Sequence, residues 1–250
     1  MKLKGQVAFI TAAAGAGVGL ATAKAFAAEG AEVIVTDIHE KRTMEAARAL
    51  EQEFGRSFTG LVLDVTNEAQ VDEVIKKILA KHGRIDIIVN NAARNIPKPI
   101  WEMSTETWNQ IMDACLTSQF WILRAALPSM IERKAGCVIN VSSGAGWVPF
   151  DSGDSAYSAA KAGVMALTRA VAAEVGRHGV RVNCVAPDLI WNEHLARIYP
   201  PEYFEKLRAK SVTGKAGTPE DMAHIIMFLA TDKYLTGQVI NGSGGFYMHP

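Results

Sequence analysis

The chain predicts a doubly wound α/β fold, a parallel sheet with helices on both faces, and three observations carry that expectation. Short apolar runs rich in Val and Ile alternate with helical segments along the 250 residues. The runs are apolar throughout rather than alternating with polar residues, the pattern of strands buried on both faces. A glycine-rich turn joins the first run to the first helix, where folds of this class bind ligands.

Each element has a local reason. Residues 6–11 (QVAFIT) are rich in strand formers, and residues 17–28 keep helical spacing up to the stop at Gly30. Residues 32–36 (EVIVT) give a second strand, a charged amphipathic helix covers about 39–54, and residues 60–63 (GLVL) give a third strand. The alternation continues with a helix over 67–82, a strand over 85–89 (IDIIV), one long helix over 105–134 and a strand over 137–141 (CVINV). A helix over 154–176, a strand over 181–185 (RVNCV), a helix over 219–231 and a strand over 238–240 complete one domain spanning 1–250. Residues 188–217 lack periodicity and contain Pro200-Pro201 and several aromatics, marking them as a candidate substrate lid.

Composition narrows the function classes. With 49% apolar and 21% charged residues the chain is neither disordered nor fibrous. Its 26 basic and 26 acidic residues cancel, so no global field draws it to nucleic acid or to an anionic membrane. Cys115, Cys137 and Cys184 form no C-x-x-C pair, which argues against a disulfide scaffold or a metal site and fits a reducing, cytoplasmic location. Lys2 and Lys4 before an apolar run superficially resemble a secretory signal, but Gly15, Gly17 and Gly19 interrupt the run, and Lys24 and Glu29 follow. No uninterrupted apolar stretch is long enough to span a bilayer.

The turn at residues 11–19 (TAAAGAGVG) suits a pyrophosphate, which needs close backbone approach and free amides at a helix N-terminus. Asp37 follows the second strand, 18 residues after Gly19, where a carboxylate accepts bonds from an adenosine ribose and repels a 2′-phosphate. NAD(H) is therefore expected in preference to NADP(H). Asp37 also fits a helix N-terminal acid, and Asp64, after the third strand, fits either a turn cap or an adenine contact.

Tyr157 and Lys161 stand four apart on one predicted helix, and Ser143 ends the preceding strand, so the three converge on one crevice. An ammonium about 4 Å from a phenol contributes roughly 4 kcal/mol at an effective dielectric near 20, enough to bring Tyr157 toward neutrality as a general acid-base. Ser143 would hold the substrate oxygen, and Lys161 can also bond the nicotinamide ribose.

Together with the glycine turn, Asp64-Val65, Asn90-Asn91-Ala92-Ala93, Ser143, Tyr157-Ser158-Ala159-Ala160-Lys161 and Arg181-Val182-Asn183-Cys184-Val185-Ala186-Pro187 closely resemble the classical short-chain dehydrogenase/reductases along essentially the whole chain. The resemblance implies a Rossmann-like domain, a nicotinamide cofactor and a homotetramer or homodimer. It places the cofactor along Gly15, Gly17, Val18, Asp37, Ile38, Asp64, Val65, Asn91, Ala92, Pro187, Ile190 and Asn192, beside Tyr157 and Lys161.

The chain departs from the family pattern in places. The glycine turn is one residue longer, with alanine at its first glycine, and Asn192 stands where a threonine is usual. Cys115 replaces the asparagine that supports a water relay to the lysine, and a thiol is a poor substitute for an amide. Asp188 follows Pro187 in place of glycine; it reads as a solvated loop acid, or as one facing the positive nicotinamide ring.

Trp147, Val148, Phe150, Trp191, Tyr199, Tyr203 and Phe204 suggest a bulky apolar or alicyclic ketone or secondary alcohol as the small-molecule partner. Arg94 and the basic residues Lys98, Arg197, Lys206, Arg208 and Lys210 suit a carboxylate or a coenzyme-A phosphate, which makes 3-oxoacyl-thioester reduction or 3-hydroxyacyl dehydrogenation the alternative. A halohydrin-dehalogenase-like enzyme, against which Lys161 and Asp37 argue, and a non-catalytic binding protein are the remaining classes.

Overall fold

A computed structural model describes residues 1–149, 152–188, 190–191 and 200–248. Seven parallel strands form one sheet in the order β3-β2-β1-β4-β5-β6-β7. The chain leaves β1 (Val7–Ile10) through α1 (Val18–Ala28) to β2 (Glu32–Asp37), then through α2 (Glu40–Phe54) to β3 (Thr59–Val62). It returns through α3 (Glu68–His82) to β4 (Ile87–Asn90), on the other side of β1. From there α4 (Thr105–Met112) and α5 (Ser118–Arg133) lead to β5 (Gly136–Val141), and α6 (Ser155–Val175) leads to β6 (Val180–Pro187). The last crossover holds α7 (Pro201–Arg208) and α8 (Pro219–Thr231) before β7 (Val239–Gly242). The reversal between β1 and β4 opens a crevice at the strands' C-terminal ends.

Two apolar layers sandwich the sheet, as strands without polar alternation require. Ala8 and Ile10 of β1 pack toward Phe26 of α1, Leu50 of α2 and Ile226 of α8. Val7 and Phe9 face the opposite side, with Ile75 and Ile78 of α3, Leu123 of α5 and Val175 of α6. Only the edge strands β3 and β7 are half-exposed.

Three expectations change. The helix anticipated over 105–134 is two helices joined by a π turn, Asp113–Thr117, two of whose carbonyl groups are taken up by side chains. Ser118 Oγ donates to Ala114 O (2.9 Å) and Gln119 Nε2 to Cys115 O (3.1 Å). Within the segment anticipated as irregular, Pro201–Arg208 forms a helix; residues 189 and 192–199 lie outside the described ones. Finally, Asp86 does not belong to β4: its carboxylate accepts from Val7 N (2.9 Å), Arg84 Nη2 (2.6 Å) and Arg133 Nη1 (3.0 Å), tying the sheet's lower end together.

Candidate active site

The glycine turn is held from below by β4. Thr11 Oγ1 accepts from Asn91 N (2.9 Å) and Ala92 N (3.0 Å), and Asn91 Nδ2 donates to Thr11 O (3.0 Å) and Ala12 O (3.1 Å). Ala12, at the family's first glycine, adopts a left-handed φ of 50°. Gly19 is required by packing, since a Cβ there would lie 2.5 Å from Ala12 O and 2.7 Å from Asn91 Nδ2. Gly15 and Gly17 are different: neither has a positive φ, and a Cβ on either would meet nothing within 4 Å. Among the described residues their smallness serves no contact, whereas a phosphate resting on the turn needs it. Among the described residues no side chain caps α1, and Gly17 at its N-cap leaves the first-turn amides to a ligand. This part of the chain fits a dinucleotide pyrophosphate, with Val18 at the head of the helix.

Asp37 ends β2 almost fully buried. Burial pushes its carboxyl up, opposed first by the Arg42 guanidinium (3.3 Å) and then by bonds from the backbone of Ala14 and Ile38. Ile38, beside it, is an exposed apolar side chain suited to one face of an adenine ring. Asp64 Oδ1 accepts from Thr66 N (2.9 Å) and Thr66 Oγ1 (2.7 Å), so the structure shows its turn-capping role, while Val65 packs against the core below. Arg42 escaped the sequence reading; its place one turn into the helix after Asp37 is the signal that would have found it.

Across the sheet, α6 presents Tyr157 and Lys161 to the end of β5. Lys161 is 1% exposed, and its ammonium donates to Val141 O (2.8 Å) while lying 5.5 Å from the Tyr157 ring centre. Ser142 Oγ donates to Lys161 O (2.7 Å), locking the helix onto the strand. Ser143 stands near enough to the Tyr157 phenol to pull its pKa down, so serine, tyrosine and lysine come together at the end of β5. The expected drop of Tyr157 toward neutrality is overturned. Desolvation dominates and holds the phenol above its ordinary value, although Lys161 and Ser143 pull it down; the Asp154 charge pushes it up further.

The loop after β4 fixes this helix from its far side. Lys98 N donates to Gly153 O (2.9 Å) and Asn95 Nδ2 to Asp154 Oδ1 (2.6 Å). Cys115 is fully buried in the π turn; its thiol donates to Arg94 O (3.2 Å) and accepts from Arg94 N (3.4 Å). The thiol thus does hold two points of that loop, more than its weak polarity suggested. Gln119, on the carbonyl of Cys115, is a buried amide that helical spacing alone did not single out.

Several expected substrate contacts fall elsewhere. Trp147, half-buried, stacks at a tilt on Tyr247 (centroids 5.7 Å) and packs against the layer of Val164 and Met165. The Arg94 side chain is exposed, and its backbone is what the site uses. Trp191 does line a cleft of about 590 Å³ with Pro201, Phe204, Arg208 and Lys215. Ile190 is buried and bridges to Gly217, Pro187 ends β6, and Asn192 lies outside the described residues. The reading of Asp188 as a solvated loop acid is corrected. It is half-buried, its Oδ2 meets no hydrogen-bond partner among the described residues, and burial pushes its carboxyl up to about 6.

A family described as Enoyl-(Acyl carrier protein) reductase matches residues 12–247. The chain belongs to the classical short-chain dehydrogenase/reductase family. Among its relatives, this dehydrogenase/reductase is 41% identical to (5R,7aS)-5-hydroxy-7a-methyl-1-oxo-2,3,5,6,7,7a-hexahydro-1H-indene-carboxyl-CoA reductase of Mycobacterium tuberculosis, over 96% of this chain and 93% of that protein. It is 37% identical to the 3-oxoacyl-(acyl-carrier-protein) reductase of Thermotoga maritima, over 98% of this chain and 99% of that protein. The crystal structure of gox2181 superposes with a TM-score of 0.92 at 32% identity, covering 98% of this chain and 96% of that one. As a short-chain dehydrogenase/reductase, the protein is an oxidoreductase whose family employs a nicotinamide cofactor. Among the described residues no helix is long and apolar enough to cross a membrane.

Proposed function

We propose that the protein interconverts a secondary alcohol and a ketone on a bulky apolar or alicyclic substrate, with NAD(H) preferred over NADP(H). The observation that carries the reading is the convergence of Ser143, Tyr157 and buried Lys161 at the end of β5, across the crevice from an uncapped α1 and buried Asp37. The cofactor supplies or accepts the hydride. Ser143 holds the substrate oxygen, and Tyr157 passes a proton to it during reduction or takes one during oxidation. Lys161, anchored on Val141 O, keeps a positive charge beside the phenol and so favours the phenolate that oxidation requires. The raised phenol suits the opposite direction, because a protonated Tyr157 is the acid that a forming alkoxide needs.

Asp37 carries the nucleotide preference, since a 2′-phosphate would bring like charge against a carboxylate already costly to bury. A thioester-borne substrate is the second reading. It is supported by the cleft in which Lys215 and an Arg208 paired with Glu205 (2.8 Å) flank Trp191 and Phe204, and by the CoA and acyl-carrier names of the two relatives.

Fluorescence titration with NADH and with NADPH tests the nucleotide assignment, followed by NAD reduction with alicyclic alcohols, free and as CoA thioesters. Tight NADH binding with weak NADPH binding is expected, and Asp37→Ser narrows that difference. Binding of neither nucleotide overturns the reading.

A further inference from the structure

Sheet topology assigns the two halves of the crevice. Asp37 ends β2 on one side of the β1–β4 reversal; Ser143, Tyr157 and Lys161 gather at β5 on the other. A dinucleotide with its pyrophosphate on α1 and its adenosine at Asp37 therefore places its nicotinamide over β4, β5 and β6. Asp188 immediately follows β6 in that half. A Cβ added at Gly144, next to Ser143, would sit 3.0 Å from the Asp188 carboxyl carbon and 3.1 and 3.2 Å from its oxygens. The carboxyl thus lies against the loop that carries Ser143, held by Asp188 N on Gly242 O (3.4 Å).

A half-buried carboxylate normally pairs with a cation or several donors. Here Gly144 and Gly242 bring backbone only, Oδ2 is sealed without a partner among the described residues, and desolvation is what raises the group, to about 6. Among the described residues, the fold therefore leaves this negative charge uncompensated, in the half of the crevice where the cofactor changes its own charge.

Resting on the nicotinamide reading above, we propose that Asp188 is an electrostatic selector for the oxidised cofactor, its carboxylate favouring the positively charged nicotinamide ring over the neutral dihydronicotinamide. The two forms share adenosine and pyrophosphate and differ in charge at one ring, so the ratio of their affinities reports the field at that ring. A unit charge within about 10 Å at an effective dielectric near 20 changes such a ratio about tenfold.

The test is calorimetric measurement of Kd for NAD⁺ and NADH at pH 8 on the wild-type protein, Asp188→Asn and Asp188→Gly, using the NADP⁺/NADPH pair if that is the one bound. The ratio Kd(reduced)/Kd(oxidised) falls about tenfold in both variants if the carboxylate acts through its charge. A merely structural carboxyl shifts both affinities together, and an unchanged ratio in the two variants overturns the inference while leaving the cofactor reading intact. Absence of nucleotide binding to the wild-type protein overturns that reading and the inference with it.

Discussion

Asn91 donates its side-chain amide to the carbonyls of both Thr11 (3.0 Å) and Ala12 (3.1 Å), so the end of β4 holds the first bend of the cofactor turn. The bend forces Ala12 to a φ of 50°, where an L-residue carries a penalty of roughly 1–2 kcal/mol that glycine escapes. Ala12→Gly recovers part of this and loses part to unfolded-chain entropy, for a net gain of about 0.5–1 kcal/mol. Thermal unfolding should show a Tm higher by about 1–4 °C; a lower Tm shows that the turn does not strain Ala12. Asn91→Ala removes both clamps and is expected to weaken nucleotide binding more than it lowers Tm.

Cys115 occupies the place of the family asparagine, and its thiol already spans the backbone N–H and C=O of Arg94. An amide can make the same pair of bonds more strongly. Cys115→Asn is therefore expected to retain or raise turnover, whereas Cys115→Ala frees the loop after β4. Steady-state kinetics beside circular dichroism decide the matter: severe loss in Cys115→Asn with unaltered folding gives the thiol a role of its own.

The phenol of Tyr157 sits above its ordinary value because desolvation outweighs Lys161 and Ser143. Reduction needs the protonated form and oxidation the phenolate, so oxidation rises with pH through the alkaline range while reduction falls only at its upper end. Tyr157→Phe should lower turnover by about 10²–10⁴-fold in both directions and leave nucleotide Kd nearly unchanged. Near-normal turnover removes Tyr157 from the chemistry.

Asp188 has a folded pKa of about 6 against 3.8 for the unstrained group, so the native state binds more protons than the unfolded state between these values. Stability from this group is present below about pH 4 and is lost as pH rises through about 6. Discounted for its partial solvent contact, the loss is about 1 kcal/mol. Urea unfolding of the unliganded protein should therefore find Asp188→Asn more stable than wild type at pH 8, with the gain fading by about pH 4. A gain independent of pH points to packing instead of charge.

Much of the fold was legible because its signals are local. Apolar runs such as 85–89 announce buried parallel strands, and the helix read over 219–231 has those bounds in the structure, where Thr218 caps it and Glu220 and Asp221 occupy its first turn. The break in the long helix was not legible, because no glycine or proline marks 113–117, and the one proline of the segment, Pro128, lies inside α5. The π turn persists through long-range contacts of Cys115 with Arg94 and local side-chain bonds from Ser118 and Gln119. Likewise Asp86 reads as part of a strand, and its almost fully buried carboxylate is tolerated because the distant Val7 N–H and Arg133 join the neighbouring Arg84 around it.

The sequence by itself determined the order of strands and helices, the glycine turn and the serine, tyrosine and lysine spacing, since each depends on backbone preference or on residues a few positions apart. Tertiary structure decided what these groups experience. Whether a phenol is pulled down by its lysine or pushed up by burial, whether Trp147 lines a pocket or stacks on Tyr247, and whether Asp188 is hydrated are set by which distant segments pack around them. Desolvation depends on the density of surrounding atoms, a quantity that exists only once the chain has folded.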